Sequence, residues 1–248
     1  MKRVLKVIGM FVPARPFVLC LLPMMTLIAF LYAGIGGEDE VAAWFASHRE
    51  GKGFLYLIMK YFSKYGNLGY YLLYGGMLVY GIVWKKCGVT VFVLSYAASL
   101  LVTLLAVDLL KFTVGRPRPL VEGGFEPFSS SRSNQSFPSG HVAETFTTIL
   151  PFAHRFSRTA AIVFFGLSPM CMGLSRLYLG QHHLSDFAGS VVVSVVALAL
   201  GRGVTLFLAR RRHSVRLHVG GAHRLYCGGR LFLRKVRAWG ASPISVDK

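Results

Sequence analysis

Two adjacent histidines are followed by an aspartate in a polar segment that separates two apolar runs of the chain. His182 and His183 precede Asp186 in the stretch Gln181-His-His-Leu-Ser-Asp. Residues four apart lie on one face of a helix, so the Asp186 carboxylate can hold one ring nitrogen of His182 and leave the other free to attack an electrophile. His183 is three residues from Asp186 and forms the competing pair. The spacing therefore predicts a histidine nucleophile and leaves open which histidine it is.

A second polar cluster opens another apolar run. The stretch Pro138-Ser139-Gly140-His141 stands where a helix is expected to begin. Free backbone N–H groups at a helix N-terminus bind anions, and Gly140 lets an anion come close. His141 can give or take a proton near neutral pH. The cluster predicts an anion site beside a general acid or base. The alternative is a serine that caps the helix next to an incidental histidine.

Cations accompany both clusters. Lys111 and Arg118 follow an apolar run, and Arg176 precedes the two histidines. Arginine offers a planar fork to phosphate oxygens, and lysine offers a point charge. Together they suit an anion with several oxygens, such as a phosphate group. For the first pair, the alternative is a basic loop at a membrane surface.

The composition indicates that these clusters belong to a membrane protein. Only 15% of the 248 residues are charged, against about 25% in soluble domains, and 54% are hydrophobic. With a formal net charge of +18, the charges must be segregated from the apolar segments. Six segments approach the length that crosses a bilayer: approximately residues 17–34, 68–84, 89–110, 141–156, 160–179 and 184–208. The predicted fold is an all-α bundle of six transmembrane helices over residues 1–208, followed by a basic tail over residues 209–248.

A shorter segment between the first two apolar runs has a different pattern. Its large apolar residues recur at helical spacing, while Lys60 and Lys64 fall off the stripe they form. The stripe consists of Phe54, Leu57, Ile58, Tyr61 and Phe62. This pattern predicts an amphipathic helix that lies in the membrane interface. A helix packed on the bundle is an equally weighted alternative.

The placement of basic residues predicts the orientation of the bundle. Most of the 28 lysines and arginines lie near the two termini or after the second and fourth apolar runs, which is one side of a six-span bundle. Basic segments stay in the cytoplasm, so we expect cytoplasmic termini and an outer face that carries the polar clusters, toward the periplasm of a bacterial inner membrane. The first apolar run is too long for a signal peptide and reads as an uncleaved anchor. Attraction to anionic lipids accounts for the tail, and no nucleic-acid partner is expected.

The three clusters resemble the signature of the type 2 phosphatidic acid phosphatase (PAP2) family, which shares its core with vanadium haloperoxidases. That signature is K-x6-R-P, then P-S-G-H, then S-R-x5-H-x3-D. The first motif matches the segment from Lys111 to Arg118-Pro119, and the second matches residues 138–141. The third matches the segment from Ser175-Arg176 through His182 to Asp186. None of the three has a gap or a substitution. The resemblance selects His182 over its neighbour.

The resemblance also implies a role for each motif residue. His182 would attack phosphorus and form a phospho-histidine, Asp186 would orient it, and His141 would protonate the leaving oxygen. The phosphate oxygens would be held by Lys111, Arg118, Ser139, Gly140 and Arg176. No metal and no cofactor is implied, because the fixed cations do their electrostatic work. Asp108 and Glu144 are candidates for orienting their neighbours, with solvated acids as the alternative, and Arg116 is a candidate for a further head-group contact.

The implied function is hydrolysis of a phosphomonoester or diphosphate on a lipid head group, with the bilayer as the setting. The compact form and the run that begins at Gln181 lean toward the bacterial lipid A branch of the family. Undecaprenyl diphosphate and phosphatidylglycerophosphate are the alternative substrates. Phosphotransfer to a second lipid is an alternative reaction, and a non-catalytic or transport protein of the same fold is an alternative class.

Overall fold

The structure is a computed structural model, and it describes residues 14–49 and 53–211. This part of the chain contains eight α helices, one short 3₁₀ helix and no β strand. In chain order they are α1 (Ala14–Gly34), α2 (Glu38–His48), α3 (Phe54–Tyr65), α4 (Leu68–Val83), α5 (Cys87–Val114), the 3₁₀ helix (Arg132–Asn134), α6 (Gly140–Ala153), α7 (Thr159–Tyr178) and α8 (Asp186–Arg211). The predicted all-α class is therefore confirmed for the described residues.

Four of these helices are long and apolar enough to cross a membrane: α1, α5, α7 and α8. They indicate an integral membrane protein. The other two predicted spans form α4, with 16 residues, and α6, with 14 residues. Both are shorter than the roughly 20 residues that a spanning helix needs. The count of six spans therefore stays a prediction.

Helix α6 lies at the centre of the bundle, where it packs against α5, α7 and α8. Phe146 of α6 is fully buried. The Thr147 hydroxyl lies 2.8 Å from that of Thr103 on α5, and Ser194 on α8 donates to the Ala143 carbonyl at 2.8 Å. Small hydroxyl side chains satisfy one another in apolar surroundings and let helices approach closely. This packing fixes the N-terminus of α6 relative to the ends of its neighbours.

Helix α3 packs on α7 and turns its apolar stripe outward. Ser63 is buried, and Tyr56 and Met59 pack against the core. The stripe predicted from the sequence is exposed, with Phe54 at 79% and Tyr61 at 58%. One face of α3 therefore contacts the bundle while the apolar face is open to the surrounding medium, and its position in the membrane interface stays a prediction.

The segment between α5 and α6 is closed by backbone hydrogen bonds. Gly115 ends α5 with a φ of 60°, and a Cβ there would overlap the Glu126 carbonyl, so this position requires glycine. The Glu126 N–H donates to the Gly115 carbonyl at 2.8 Å, and the Ser136 N–H donates to the Arg116 carbonyl at 3.0 Å. The predicted loop thus returns to the end of α5 and brings Lys111 close to the start of α6 at Gly140.

Several sequence predictions concern residues outside the described part of the chain. These are the N-terminal cations Lys2, Arg3 and Lys6 and the basic tail from residue 212 onward. Helix α8 itself continues to Arg211, three residues beyond the predicted end of the sixth apolar segment at 208. The division into a bundle and a cytoplasmic tail stays a prediction.

Candidate active site

His182 and Asp186 form a buried pair. Their side chains are 2% and 0% exposed, and Nδ1 of His182 lies 3.2 Å from Oδ2 of Asp186. The pair does not form on a helix face as the spacing predicts, because α8 begins only at Asp186. The Asp186 carboxylate instead accepts the His183 backbone N–H at 2.9 Å, which folds the preceding segment back onto the helix start.

The neighbouring histidine points elsewhere. Nε2 of His183 lies 3.2 Å from the Pro117 carbonyl, and its Nδ1 lies 3.9 Å from Oε2 of Glu38. His183 therefore reaches Asp186 only through its backbone, and the ring of His182 alone engages the carboxylate. The geometry favours the same histidine as the motif spacing.

Further donors surround Asp186. Ser136 donates its hydroxyl to Oδ2 at 2.5 Å, and Nη1 of Arg116 donates to Oδ1 at 2.7 Å. The other Arg116 nitrogen, Nη2, donates to Glu38 at 2.8 Å. The guanidinium of Arg116 is thus held between two carboxylates behind the histidine pair, and its contact with a lipid head group stays a prediction.

Burial makes His182 neutral at physiological pH. It lowers the pKa of the imidazole to about 4, and this outweighs the opposite effect of Asp186, while Arg176 and Lys111 lower the pKa further. When Nδ1–H faces the Asp186 carboxylate, the other ring nitrogen carries a free lone pair. In this tautomer His182 has the arrangement of a nucleophile, and Asp186 is the acid that orients its ring.

His141 is the second residue of α6 and lies among the cations. Its pKa is lowered to about 3, first by burial and then by the charges of Arg176, His182 and Lys111. The imidazole is therefore neutral while the site holds no anion. A bound phosphate dianion would oppose these charges and raise the pKa of His141, so that it could carry a proton to a leaving group.

The predicted phosphate ligands come together around the start of α6. Lys111, in the last turn of α5, interacts electrostatically with Arg118, Arg176 and Asp186. A Cβ placed on Gly140 would lie 3.6 Å from Nζ of Lys111. Lys111 therefore lies beside the N-terminus of α6, and Arg118 and Arg176 are close enough to interact with it electrostatically.

Several buried donors of this cluster lack a partner among the described residues. Nε of Arg118, Nε of Arg176 and the hydroxyl of Ser139 are all buried without a hydrogen bond. Ser139 stands at the N-cap of α6 but makes no side-chain capping bond, so the capping alternative does not account for it. Unpaired buried polar groups are costly in a folded protein. Their convergence points to an anionic ligand that would satisfy them.

Family comparison supports the same assignment. The family model described as PAP2 superfamily matches residues 92–212, a segment that contains all three motif clusters. This segment is a PAP2 superfamily domain. No curated protein and no solved structure matches the chain. A PAP2 superfamily domain indicates phosphatase activity on phosphorylated substrates.

Other predicted residues of the PAP2 domain have smaller roles in the site. Asp108 is exposed and affects Lys111 through its charge alone. Glu144 is half-buried on α6. Neither acid replaces Asp186 as the partner of His182. Among the described residues, no group of three His, Cys, Asp or Glu side chains could hold a metal ion.

The sequence did not reveal three residues that hold the cations of the site. Ser63 of α3 accepts a hydrogen bond from Nη1 of Arg176 at 2.7 Å, and Gln181 accepts one from Arg118. Glu38 holds Arg116 and also accepts the Ser185 backbone N–H at 2.6 Å. The only sequence signal for Glu38 is that it is an acid at a helix start on the predicted outer side. Acids are common at that position for reasons unrelated to catalysis.

Proposed function

We propose that this protein is a membrane lipid phosphatase that cleaves a phosphomonoester or diphosphate from a lipid head group. The observation that carries the proposal is the buried, neutral His182 held by Asp186. It lies beside a cation cluster whose buried donors lack partners among the described residues. A nucleophile next to an anion site suits phosphoryl transfer, in which positioning and electrostatic stabilisation supply most of the catalysis.

The first step transfers phosphate to the protein. The free ring nitrogen of His182 attacks phosphorus with its lone pair, and the bond from phosphorus to the lipid oxygen breaks. His141, protonated once the phosphate is bound, gives its proton to the departing oxygen. Asp186 stabilises the positive charge that develops on the imidazole, and Lys111, Arg118 and Arg176 stabilise the charge on the transferring group.

The second step returns the protein to its resting state. Water attacks the phospho-histidine, His141 takes a proton from that water, and the bond between nitrogen and phosphorus breaks. Inorganic phosphate leaves, His182 is neutral again, and His141 releases its proton to solvent as its pKa falls in the phosphate-free site. The fixed cations neutralise the phosphate charge in both steps, which is the contribution that a metal ion makes in other phosphoryl-transfer enzymes. We therefore propose a metal-independent reaction without a cofactor.

The membrane setting supports a lipid as the substrate. Helices α5, α7 and α8 are candidate spans, and Lys111, Arg176 and Asp186 stand at their ends. We propose six spans with cytoplasmic termini and a site that faces the periplasm of a bacterial inner membrane. Lipid A phosphate is the favoured substrate, and undecaprenyl diphosphate and phosphatidylglycerophosphate are the alternatives.

The proposal is tested with purified protein in detergent, a panel of these lipid phosphates and a chelator in every reaction. We expect release of free phosphate by the wild type and by His183→Ala, with only a modest loss in the latter. His182→Ala should lose activity by at least about 10⁴-fold, as expected for removal of a nucleophile. Full turnover by His182→Ala contradicts the nucleophile, loss of wild-type activity in chelator contradicts metal independence, and transfer of labelled phosphate to a second lipid identifies a phosphotransferase.

A further inference from the structure

The two oxygens of the Asp186 carboxylate have different partners. Oδ2 faces His182, the Ser136 hydroxyl and the His183 N–H, whereas Oδ1 accepts a hydrogen bond from Nη1 of Arg116 at 2.7 Å. The Asp186 side chain is completely buried. Because solvent does not screen this carboxylate, the charge on Arg116 strongly affects how much negative potential His182 experiences.

Arg116 is shared between two carboxylates. While Nη1 donates to Asp186, Nη2 donates to Oε2 of Glu38 at 2.8 Å. The other oxygen of Glu38, Oε1, accepts the backbone N–H of Ser185 at 2.6 Å. Ser185 directly precedes Asp186. Glu38 therefore holds both the guanidinium that contacts the buried carboxylate and the peptide unit next to it.

Glu38 carries its negative charge at neutral pH. Burial alone would raise the pKa of this carboxyl, but hydrogen bonds from Ser185 and the guanidinium of Arg116 outweigh it and hold the pKa below its usual value. The side chains of Arg116 and Glu38 are only 16% and 21% exposed. The pair is thus largely shielded from water and is screened less by salt than a surface ion pair.

We infer that Glu38 is a positioning residue of the reaction and that it acts through Arg116 on Asp186. This inference rests on the proposed function of the His182–Asp186 pair. With Glu38 ionised, the positive charge of Arg116 is divided between two carboxylates, and Asp186 keeps more of its attraction for the His182 ring proton. Nη1 of Arg116 also donates to the Ser185 hydroxyl at 2.6 Å, but without the charge of Glu38 the only carboxylate left to Arg116 is Asp186, and the basicity and nucleophilicity of His182 fall.

Glu38→Gln tests the inference because it removes the charge while the amide oxygen can still accept a hydrogen bond. We expect kcat to fall about 10- to 100-fold, as when the outer partners of functional histidines are removed, with KM unchanged. The acid limb of the pH profile should move to lower pH, because His182 experiences less negative potential. Loss of structure alone would reduce the active fraction without moving the pH profile.

Asp39→Asn is the matched control. Asp39 is the next residue of α2, carries the same charge and is exposed. Its replacement should leave kcat and the pH profile unchanged. In an Arg116→Gln background, Glu38→Gln should have no further effect, because Glu38 acts through the lost guanidinium. Equal effects of Glu38→Gln in both backgrounds would overturn the inference.

A measurement without turnover separates this inference from the proposed function. In an NMR titration of the His182 imidazole, we expect a lower pKa in Glu38→Gln than in the wild type or Asp39→Asn. An unchanged titration overturns the role of Glu38 even if the wild type is an active phosphatase. A wild type without phosphatase activity overturns the proposed function. The titration would still show whether Glu38 affects the pKa of His182.

A second variant covers the case in which Glu38→Gln does not fold. Glu38→Asp keeps the charge on a shorter side chain, so it should lose part of kcat while its pH profile and its His182 titration match the wild type. A pH profile shifted as far as expected for complete loss of the charge would contradict an electrostatic role.

Discussion

Nη1 of Arg176 donates a hydrogen bond to the Ser63 hydroxyl at 2.7 Å, which connects a cation of the proposed phosphate site to the amphipathic helix α3. Ser63 is buried on the face of α3 that packs against α7. The opposite face carries the exposed apolar stripe. One helix thus contacts both the charged site and the surrounding medium, where the chains of a lipid substrate would lie.

Removal of the Ser63 hydroxyl should weaken phosphate binding. In Ser63→Ala the buried guanidinium of Arg176 loses one partner and is less well positioned. We expect kcat/KM for a lipid phosphate to fall about tenfold, in the range for hydrogen bonds to charged groups. Ser63→Thr keeps a hydroxyl and should stay close to the wild type. Equal kinetics for the alanine variant and the wild type would show that Arg176 does not depend on Ser63.

The exposed stripe of α3 should contribute to binding of the lipid chains. Replacement of Phe54, Ile58 and Phe62 by glutamine removes apolar area without touching the charged site. We expect KM for a lipid phosphate to rise about tenfold or more, while KM for a water-soluble phosphate ester stays the same. Lys60→Gln, off the stripe, is the control. Equal effects on the KM values of both substrates would exclude a role for α3 in binding the lipid chains.

The pKa of His141 should respond to anion binding. In the phosphate-free protein it is lowered to about 3 by burial and by neighbouring charges, including those of Arg176 and Lys111. Inorganic phosphate adds negative charge beside these cations and should raise the pKa of His141 toward neutrality, which an NMR titration of the imidazole measures directly. The His183 signal provides the internal control. A His141 titration that phosphate leaves unchanged would remove it as the general acid.

A kinetic comparison tests the same role. His141→Gln should slow single-turnover cleavage of an alkyl phosphate by about 10²-fold or more, the usual contribution of general acid catalysis. A nitrophenyl phosphate should be affected much less, because nitrophenolate leaves without a proton. Equal losses with both leaving groups would indicate that His141 binds phosphate and does not protonate the leaving oxygen.

Stability should depend on pH through the two buried histidines. Both have folded-state pKa values, about 3 for His141 and about 4 for His182, below the ordinary value of 6.5. Between pH 6.5 and 4 the unfolded chain binds protons that the folded protein does not, so stability is lost as the pH falls. Each histidine can contribute about 1.4 kcal/mol per pH unit within that window. Above pH 6.5 the two histidines do not make the stability depend on pH.

Thermal unfolding in detergent measures this slope. His182→Asn and His141→Gln should each flatten the decline of Tm between pH 6.5 and 4 relative to the wild type. His48→Gln is the control, because His48 is an exposed residue at the end of α2. An identical decline in all four proteins would show that carboxylates, and not these histidines, determine the acid sensitivity.

Much of the site could be predicted from local sequence. The motif spacing selected His182 together with Asp186, and the anion-site reading of Ser139 and Gly140 agrees with an N-cap serine that makes no capping bond. These residues could be predicted because they are close in sequence or belong to a recognisable motif. The predicted helix face for His182 did not form, because the backbone N–H of His183 occupies the same carboxylate and delays the helix start to Asp186.

The sequence by itself determined the apolar helices, the segregation of charge and the residue types of the site. Only the tertiary structure decided which partners orient them, since Glu38, Arg116 and Asp186 come from three separate segments. Neither periodicity nor motif spacing reports on contacts between residues that are distant in the chain. Those contacts depend on how α2, the end of α5 and the start of α8 pack together. That packing places Arg116 between the half-buried carboxylate of Glu38 and the buried carboxylate of Asp186.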